Sequence, residues 1–368
     1  MSVRFLDLGN QYREIKTELD SAIADVIRDS TFISGPHVAR FEKSFAEYQQ
    51  APHCIACANG TDAIEIALEA LGLPAGCEII VPANSFIASS EAVTRSGYRV
   101  VFCDCDPEDY TISVASLRAK IAPATKAVIA VHLYGQPCNM DAILDLASEF
   151  GLEIIEDCAQ AHGAEYKGRR VGTFGTFGSF SFYPGKNLGA YGDAGAIVTA
   201  NEALAKRARM IANHGRIAKY DHEIEGRNSR MDGLQGAILS VKLAHLEGWL
   251  ERRRLIAQRY DAGLRAVGDL VRPVCRGWGR HVFHLYVVRT QSRDGLQHFL
   301  RSRGIETGIH YPIALPKLAA YAYCGQANDE LFANSADREL LSLPMGEHMD
   351  LRDADEVIAA CREYFHRR

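Results

Sequence analysis

Short apolar runs, each followed by a stretch of mixed polarity, recur through the first half of the chain. The runs are CIACA (54–58), EIIVP (78–82), RVVFC (99–103), AVIAV (127–131), EIIED (153–157), SFSFY (179–183) and AIVTA (196–200). Continuous apolar strands indicate burial on both faces, and stretches such as TDAIEIALEALG and MDAILDLASEFG have room for covering helices. The pattern predicts an α/β fold, a mostly parallel seven-stranded sheet flanked by helices. The last two runs lie close enough to form a hairpin-like return at the sheet edge. From about position 234 the period changes. GLQGAILSVKLAHLEGWLERRRLIAQRYDAGL has apolar residues at three- to four-residue intervals and reads as one long helix. Beyond it, HVFHLYVVR predicts a strand and DGLQHFLRSRG a helix. We therefore expect a large domain at 1–250, including an N-terminal segment, and a smaller C-terminal α/β domain at 251–368.

Ligands of open α/β sheets sit beyond the carboxyl ends of the strands, so the polar residues there are the candidates. After CIACA come Asn59, Gly60, Thr61 and Asp62, opening a helix. Thr61 or Asp62 is expected to cap it, and its free N–H groups suit a phosphate. After EII come Glu156 and Asp157, carboxylates that burial would penalise without a cationic partner. Phe86 follows EIIVP and is placed to stack on a flat ligand. In SFSFY, Phe180 and Phe182 share one face while Ser179, Ser181 and Tyr183 share the other. The turn PGKN then throws Lys186 off the strand end. A phosphate-gripping P-loop would need Gly at 180 and Ser or Thr after the lysine; Phe180 and Asn187 stand there. Each feature alone has an ordinary structural explanation: a capped turn, an ion pair, a core aromatic, a solvated lysine. Together they make a phosphate cradle, a buried carboxylate, an aromatic plate and an amine, the set that pyridoxal phosphate requires.

Composition narrows the class. Hydrophobic residues make up 47% of the 368 positions and charged residues 24%, with a formal net charge of −5, which describes a globular protein and no nucleic-acid binder. No apolar run has the length of a membrane span and the N-terminus lacks a signal-peptide layout, so a cytoplasmic location is expected. Ten cysteines are scattered along the chain. Cys54 with Cys57 and Cys103 with Cys105 form close pairs, but neither has the second half of a zinc site, and both read as small buried hydrophobes; no metal is expected.

FISGPHVARFEKSFAEY, NGTDAIEIAL, VHLYGQPCNMDAI, IEDCAQAHGAEYKGRRVGTFG, FSFYPGKNLGAYGDAGAIV, GRNSRMDGLQGAIL and GIHYP follow one another along nearly the whole chain. In these motifs it resembles the pyridoxal-phosphate-dependent sugar aminotransferases of the DegT/DnrJ/EryC1/StrS family, which have the aspartate-aminotransferase-like fold (PLP fold type I). The resemblance implies that Lys186 is the Schiff-base lysine, Asp157 the partner of the ring nitrogen and Gln160 a neighbour of the ring hydroxyl. It implies phosphate contacts from Gly60, Thr61, Asp62 and Ser181, and ring stacking by Phe86. It also implies that Asn228 reaches the neighbouring subunit's cofactor, making a homodimer with shared active sites. FYPGKNLGA, KYDHEIEGRNSRMDGLQ and GIHYP are most similar to the nucleotide-sugar 3-aminotransferases. Tyr183, His310, Tyr311 and the other subunit's Lys219 would then contact a nucleotide-linked keto-sugar, with glutamate as amino donor. A 4-keto-sugar aminotransferase and a non-catalytic regulator are the alternatives; a dehydratase of the family would carry histidine in place of Lys186.

Overall fold

A computed structural model describes residues 2–367. Seven strands build the main sheet: β1 (His53–Cys57), β2 (Glu78–Pro82), β3 (Arg99–Cys103), β4 (Thr125–Val131), β5 (Glu153–Asp157), β6 (Phe177–Ser181) and β7 (Gly195–Thr199), in the order β1-β7-β6-β5-β4-β2-β3. The pairs from β3 across to β6 are parallel, whereas β7 runs antiparallel to both β6 and β1. The expected β6–β7 return is present, but not at an edge. The first strand comes back to cover β7, so β1 and β3 are the edges.

Both faces of the sheet are buried, as continuous apolar strands require. Ile80, Val128, Ile154 and Phe180 enter one core, while Ile79, Val81, Ile129 and Ile155 enter another on the opposite face. Each such side chain contributes about 1.5–3 kcal/mol on burial. Helices α1 (Leu8–Glu14), α2 (Lys16–Asp29) and α3 (Gly35–Gln49) precede the sheet. The interstrand helices are α4 (Gly60–Leu71), α5 (Ala88–Arg95), α6 (Val114–Lys120) and α7 (Met140–Phe150), and α8 (Glu202–Ala212) follows β7. The predicted long helix is α9 (Gly233–Gly263), and position 250 falls inside it. Its second half packs Ile256, Ala257 and Tyr260 into a third core with α10 (Arg293–Ser302), α12 (Leu351–His366) and a two-stranded sheet of β8 (Tyr286–Arg289) and β9 (Leu340–Leu343), with the short α11 (Phe332–Ala336) leading into β9. The run HVFHLYVVR is thus strand only from Tyr286. Residues 281–285 instead bond to the turn that follows β4, at Tyr134 and Gly135.

The sixth strand ends at Ser181, two residues earlier than its pattern suggests. Phe182 remains in the core, but Tyr183 leaves the ladder and is 60% exposed. The chain closes a tight loop here: Lys186 N–H donates to the Tyr183 carbonyl at 2.8 Å and Ala190 N–H to that of Phe182 at 2.7 Å. Gly189 is what lets this loop close, since a Cβ there would lie 2.2 Å from the Pro184 carbonyl oxygen.

The cysteines of both close pairs are buried and free. His132, Glu156 and Cys158 bring ligand-type atoms within 4.8 Å of one another, but hydrogen bonds within the chain already occupy the carboxylate. Glu156 accepts from the backbone N–H groups of Gly172, Phe174 and Gly175, each at 2.7 Å. His132 Nδ1 accepts from Cys138 N–H at 3.0 Å, so Nε2 carries the proton that faces Glu156 at 2.9 Å. The partner expected to be a cation is therefore a set of backbone donors and one imidazole.

Candidate active site

The carboxyl ends of β1, β2, β4, β5 and β6 open onto one cleft of about 760 Å³. Its lining gathers Gly60, Thr61, Asp62, Phe86, Asp157, Gln160, Ser181, Tyr183, Lys186 and Tyr311. Residues from five strand ends and a distant loop meet here because parallel strands in register deliver all their carboxyl ends to one side.

At the floor, α4 begins at Gly60. The cap is Asn59, not Thr61 or Asp62: its side chain accepts from Asp62 N–H at 2.8 Å. The earlier N–H groups of the first turn, those of Gly60 and Thr61, then face the cleft at the positive end of the helix dipole. Ser181 Oγ stands beside them and accepts from Tyr183 N–H at 3.3 Å, which leaves its own hydrogen free to donate. Only glycine fits at 60, because a Cβ would meet that of Ser181 at 2.5 Å. The close approach of helix terminus and hydroxyl makes a cradle of phosphate size and polarity.

Asp157 ends β5 nearly buried. Its Oδ2 accepts from Ser89 Oγ at 2.7 Å and its Oδ1 from Ala159 N–H at 3.1 Å. Ser89 is in turn 2.8 Å from Ser85 Oγ. These two hydroxyls escaped the sequence reading, although the run of small polar residues in NSFIASSEAV was the available signal. Gln160 is oriented by Tyr134, whose N–H donates to Oε1 at 2.6 Å. A backbone N–H has to donate, so Nε2 is the atom left for the Tyr311 hydroxyl, 2.9 Å away. Tyr134 adopts φ +58° to present that N–H. Phe86 is 54% exposed, with its ring tilted against that of Tyr311 at 5.8 Å between centroids.

Lys186 is half-buried in the same cleft. Desolvation outweighs the attraction of Asp157 and brings its ammonium pKa down from 10.5 to about 8. A substantial fraction of the amine is thus neutral, and nucleophilic, near physiological pH.

Three expected contacts lie outside the lining. His310 is adjacent to it: the imidazole stacks on Phe5 at 5.8 Å, places Nδ1 2.8 Å from Ser342 Oγ, and is held neutral, at about 4, chiefly by burial. Lys219 and Asn228 are exposed on the segment that follows α8. Lys219 sits at the turn of a small hairpin, Arg216–Ala218 with Asp221–His222, and its ammonium lies over the Tyr220 ring.

The donor set fits pyridoxal phosphate: an amine of lowered pKa, a carboxylate in the same cleft, an exposed aromatic plate and a glycine-tight anion cradle. Comparisons with known proteins agree. A dTDP-3-amino-3,4,6-trideoxy-alpha-D-glucose transaminase of Streptomyces venezuelae is 43% identical over 368 residues, covering 99% of this chain and 97% of that protein. The crystal structure of S. venezuelae DesV in complex with a ketimine intermediate matches with a TM-score of 0.97 at 42% identity, covering 100% of this chain and 99% of the other. NtdA from Bacillus subtilis, solved with bound cofactor PMP, matches with a TM-score of 0.92 at 31% identity, covering 99% and 85%. The family profile matches residues 13–362, and the chain belongs to the DegT/DnrJ/EryC1/StrS aminotransferase family.

Proposed function

We propose that this aminotransferase moves an amino group from glutamate onto the C3 keto carbon of a nucleotide-linked sugar. The observation that carries the reading is the placement of Lys186 and Asp157 in one cleft whose floor is the Gly60–Ser181 cradle. Bound pyridoxal phosphate supplies the electron sink that lets a proton leave the carbon bearing the amine. The Gly60 and Thr61 N–H groups and the Ser181 hydroxyl would bind the phosphate, with Asp62 beside them. Asp157 would stabilise a protonated ring nitrogen, Gln160 Nε2 would donate toward the ring hydroxyl and Phe86 would cover a ring face. Lys186 Nζ would tether the cofactor and, as a free neutral amine, would be the base that moves the proton between the reacting carbons.

Sugar regiochemistry follows the S. venezuelae transaminase. With glutamate and a panel of dTDP- and UDP-linked 3-keto and 4-keto hexoses, NMR should place the new C–N bond at C3. A product aminated only at C4 would replace this reading with the 4-aminotransferase one.

The charge of the cleft supports a shared site. Its lining contains Asp62, Glu65, Glu91, Asp157 and Asp193 against only Arg95 and Lys186 among the described residues. A sugar linked to a diphosphate needs more positive charge than that lining offers. Lys219 and Arg216 lie on an exposed hairpin together with Ile217 and Tyr220, the last 85% exposed. This exposed projection, which also carries Asp221, suits insertion into a second copy through Ile217 and Tyr220, where Lys219 and Asn228 would meet the substrate and the phosphate. Tyr183, His310 and Tyr311 would face the sugar from the chain's own side. Co-expressed Lys186→Ala and Asn228→Asp chains, each inactive alone, should recover about a quarter of wild-type activity, since half of the random dimers contain one intact site. Activity equal to the sum of the two parents would exclude sharing.

A further inference from the structure

The turn that carries Lys186 is fastened to the segment 281–285 through its next residue. Asn187 is 2% exposed, and its Nδ2 donates to the Val282 carbonyl at 3.3 Å. Its Oδ1 therefore faces His284 Nδ1, 3.1 Å away, and accepts from it. This assigns the imidazole proton to Nδ1 and leaves Nε2 as an acceptor.

The segment is itself held from two sides. Val282 and Leu285 N–H groups donate to the carbonyls of Gly135 and Tyr134, at 3.1 and 3.3 Å, in the same turn whose Tyr134 N–H orients Gln160. Behind it, the buried Arg253 guanidinium donates to the carbonyls of Phe283, His284 and Met345 at 3.2–3.3 Å and pairs with Glu347 at 2.8 Å. A buried ion pair committed to three carbonyls holds the backbone under His284 in one place. The charged and titratable groups acting on the ring are Lys186, Arg253, His310 and His162; with burial they push its pKa well below the ordinary value. The imidazole thus donates its hydrogen bond as a neutral group and adds no second cation next to Lys186.

We infer that His284 is a positioning residue for Lys186: through Asn187 it sets where the amine stands in the cleft, and it does so from the segment that leads into β8. The inference rests on the reading of Lys186 as the reactive amine. A histidine present only to fill space would serve as well without its Nδ1 proton, and that difference is testable.

The test uses the full-length chain stripped of cofactor. Lys186 is acetylated with limiting reagent from neutral to alkaline pH and quantified by peptide mass spectrometry. The wild-type midpoint should lie near 8. In His284→Leu the released turn relaxes toward solvent, and the midpoint should rise by about one pH unit toward the ordinary lysine value. In the loaded enzyme kcat should fall about 10- to 100-fold, with KM for the nucleotide sugar nearly unchanged. His284→Asn places an amide donor where Nδ1 stands and should restore both readouts; His284→Gln, which places it at the Nε2 position, should not. Wild-type titration in His284→Leu, or equal behaviour of the Asn and Gln variants, would overturn the inference. If His284→Leu does not fold, the Asn and Gln pair decides it alone. The labelling result does not depend on turnover, so failure of the Lys186 assignment itself would show separately, as activity surviving in Lys186→Ala.

Discussion

Lys186→Ala is expected to lower kcat by at least about 10⁴-fold, because one substitution removes both the tether and the base. The variant should nevertheless fold. The Lys186 amine lies at the cleft wall, and the backbone bonds that shape its turn, Lys186 N–H to Tyr183 and Ala190 N–H to Phe182, survive truncation. Its charge does not stabilise the native state either. The folded pKa is near 8 against 10.5 for an unperturbed lysine. Between those values the unfolded chain binds the additional proton, so this group makes stability rise with pH across that window; below it, the native state carries the cost of a desolvated ammonium. Replacing the lysine removes that dependence and leaves the melting temperature at neutral pH unchanged or raised. Paired kcat and thermal-melt measurements check both parts. Steady-state transamination persisting in a folded Lys186→Ala chain would sink the proposed role.

Asp157→Asn should cost about 10²- to 10³-fold in kcat for both half-reactions. The side chain keeps its shape, and its surroundings can accept an amide. The carbonyl oxygen stays on Ala159 N–H, while the new NH₂ faces Ser89, whose hydroxyl can turn its hydrogen toward Ser85, 2.8 Å away. What the variant loses is the negative charge proposed to face the ring nitrogen. Without it a cationic ring is no longer favoured and the electron sink weakens. Pre-steady-state rates of the donor and acceptor half-reactions should fall together, with the melting temperature within a few degrees of wild type. A kcat within about threefold of the native value would remove Asp157 from the chemistry.

Much of the candidate site could be read from the chain because each candidate group sits at or just past the end of an apolar strand. Asp157 ends its run, Ser181 lies inside the next, and Lys186 follows on a turn marked by Pro184, Gly185 and Gly189. The misreadings were of local geometry. Asn59, Thr61 and Asp62 are all competent caps, and only the backbone conformation selects Asn59. Tyr183 continues the alternation of SFSFY, yet the loop closed by the Ala190 N–H to Phe182 bond pulls it off the ladder. Glu156 looked like half of an ion pair because backbone donors have no sequence signature. Ser89, Tyr134 and His284 carry no such local mark. Each acts on a residue far away in the chain, and nothing in its own neighbourhood indicates the partner.

The amino-acid sequence by itself determined the layered α/β architecture, since an apolar run of strand length is stable only when both faces are covered, and that requirement is local. It also determined which groups stand at the strand ends. Only the tertiary structure decided which of them meet. The order of strands in the sheet brings Asp157 into one cleft with Lys186, sets Ser89 on its carboxylate, and lets the segment 281–285 reach back to Asn187. Such contacts join positions tens of residues apart, and their geometry depends on how the whole sheet twists and packs rather than on the preferences of any one stretch of chain.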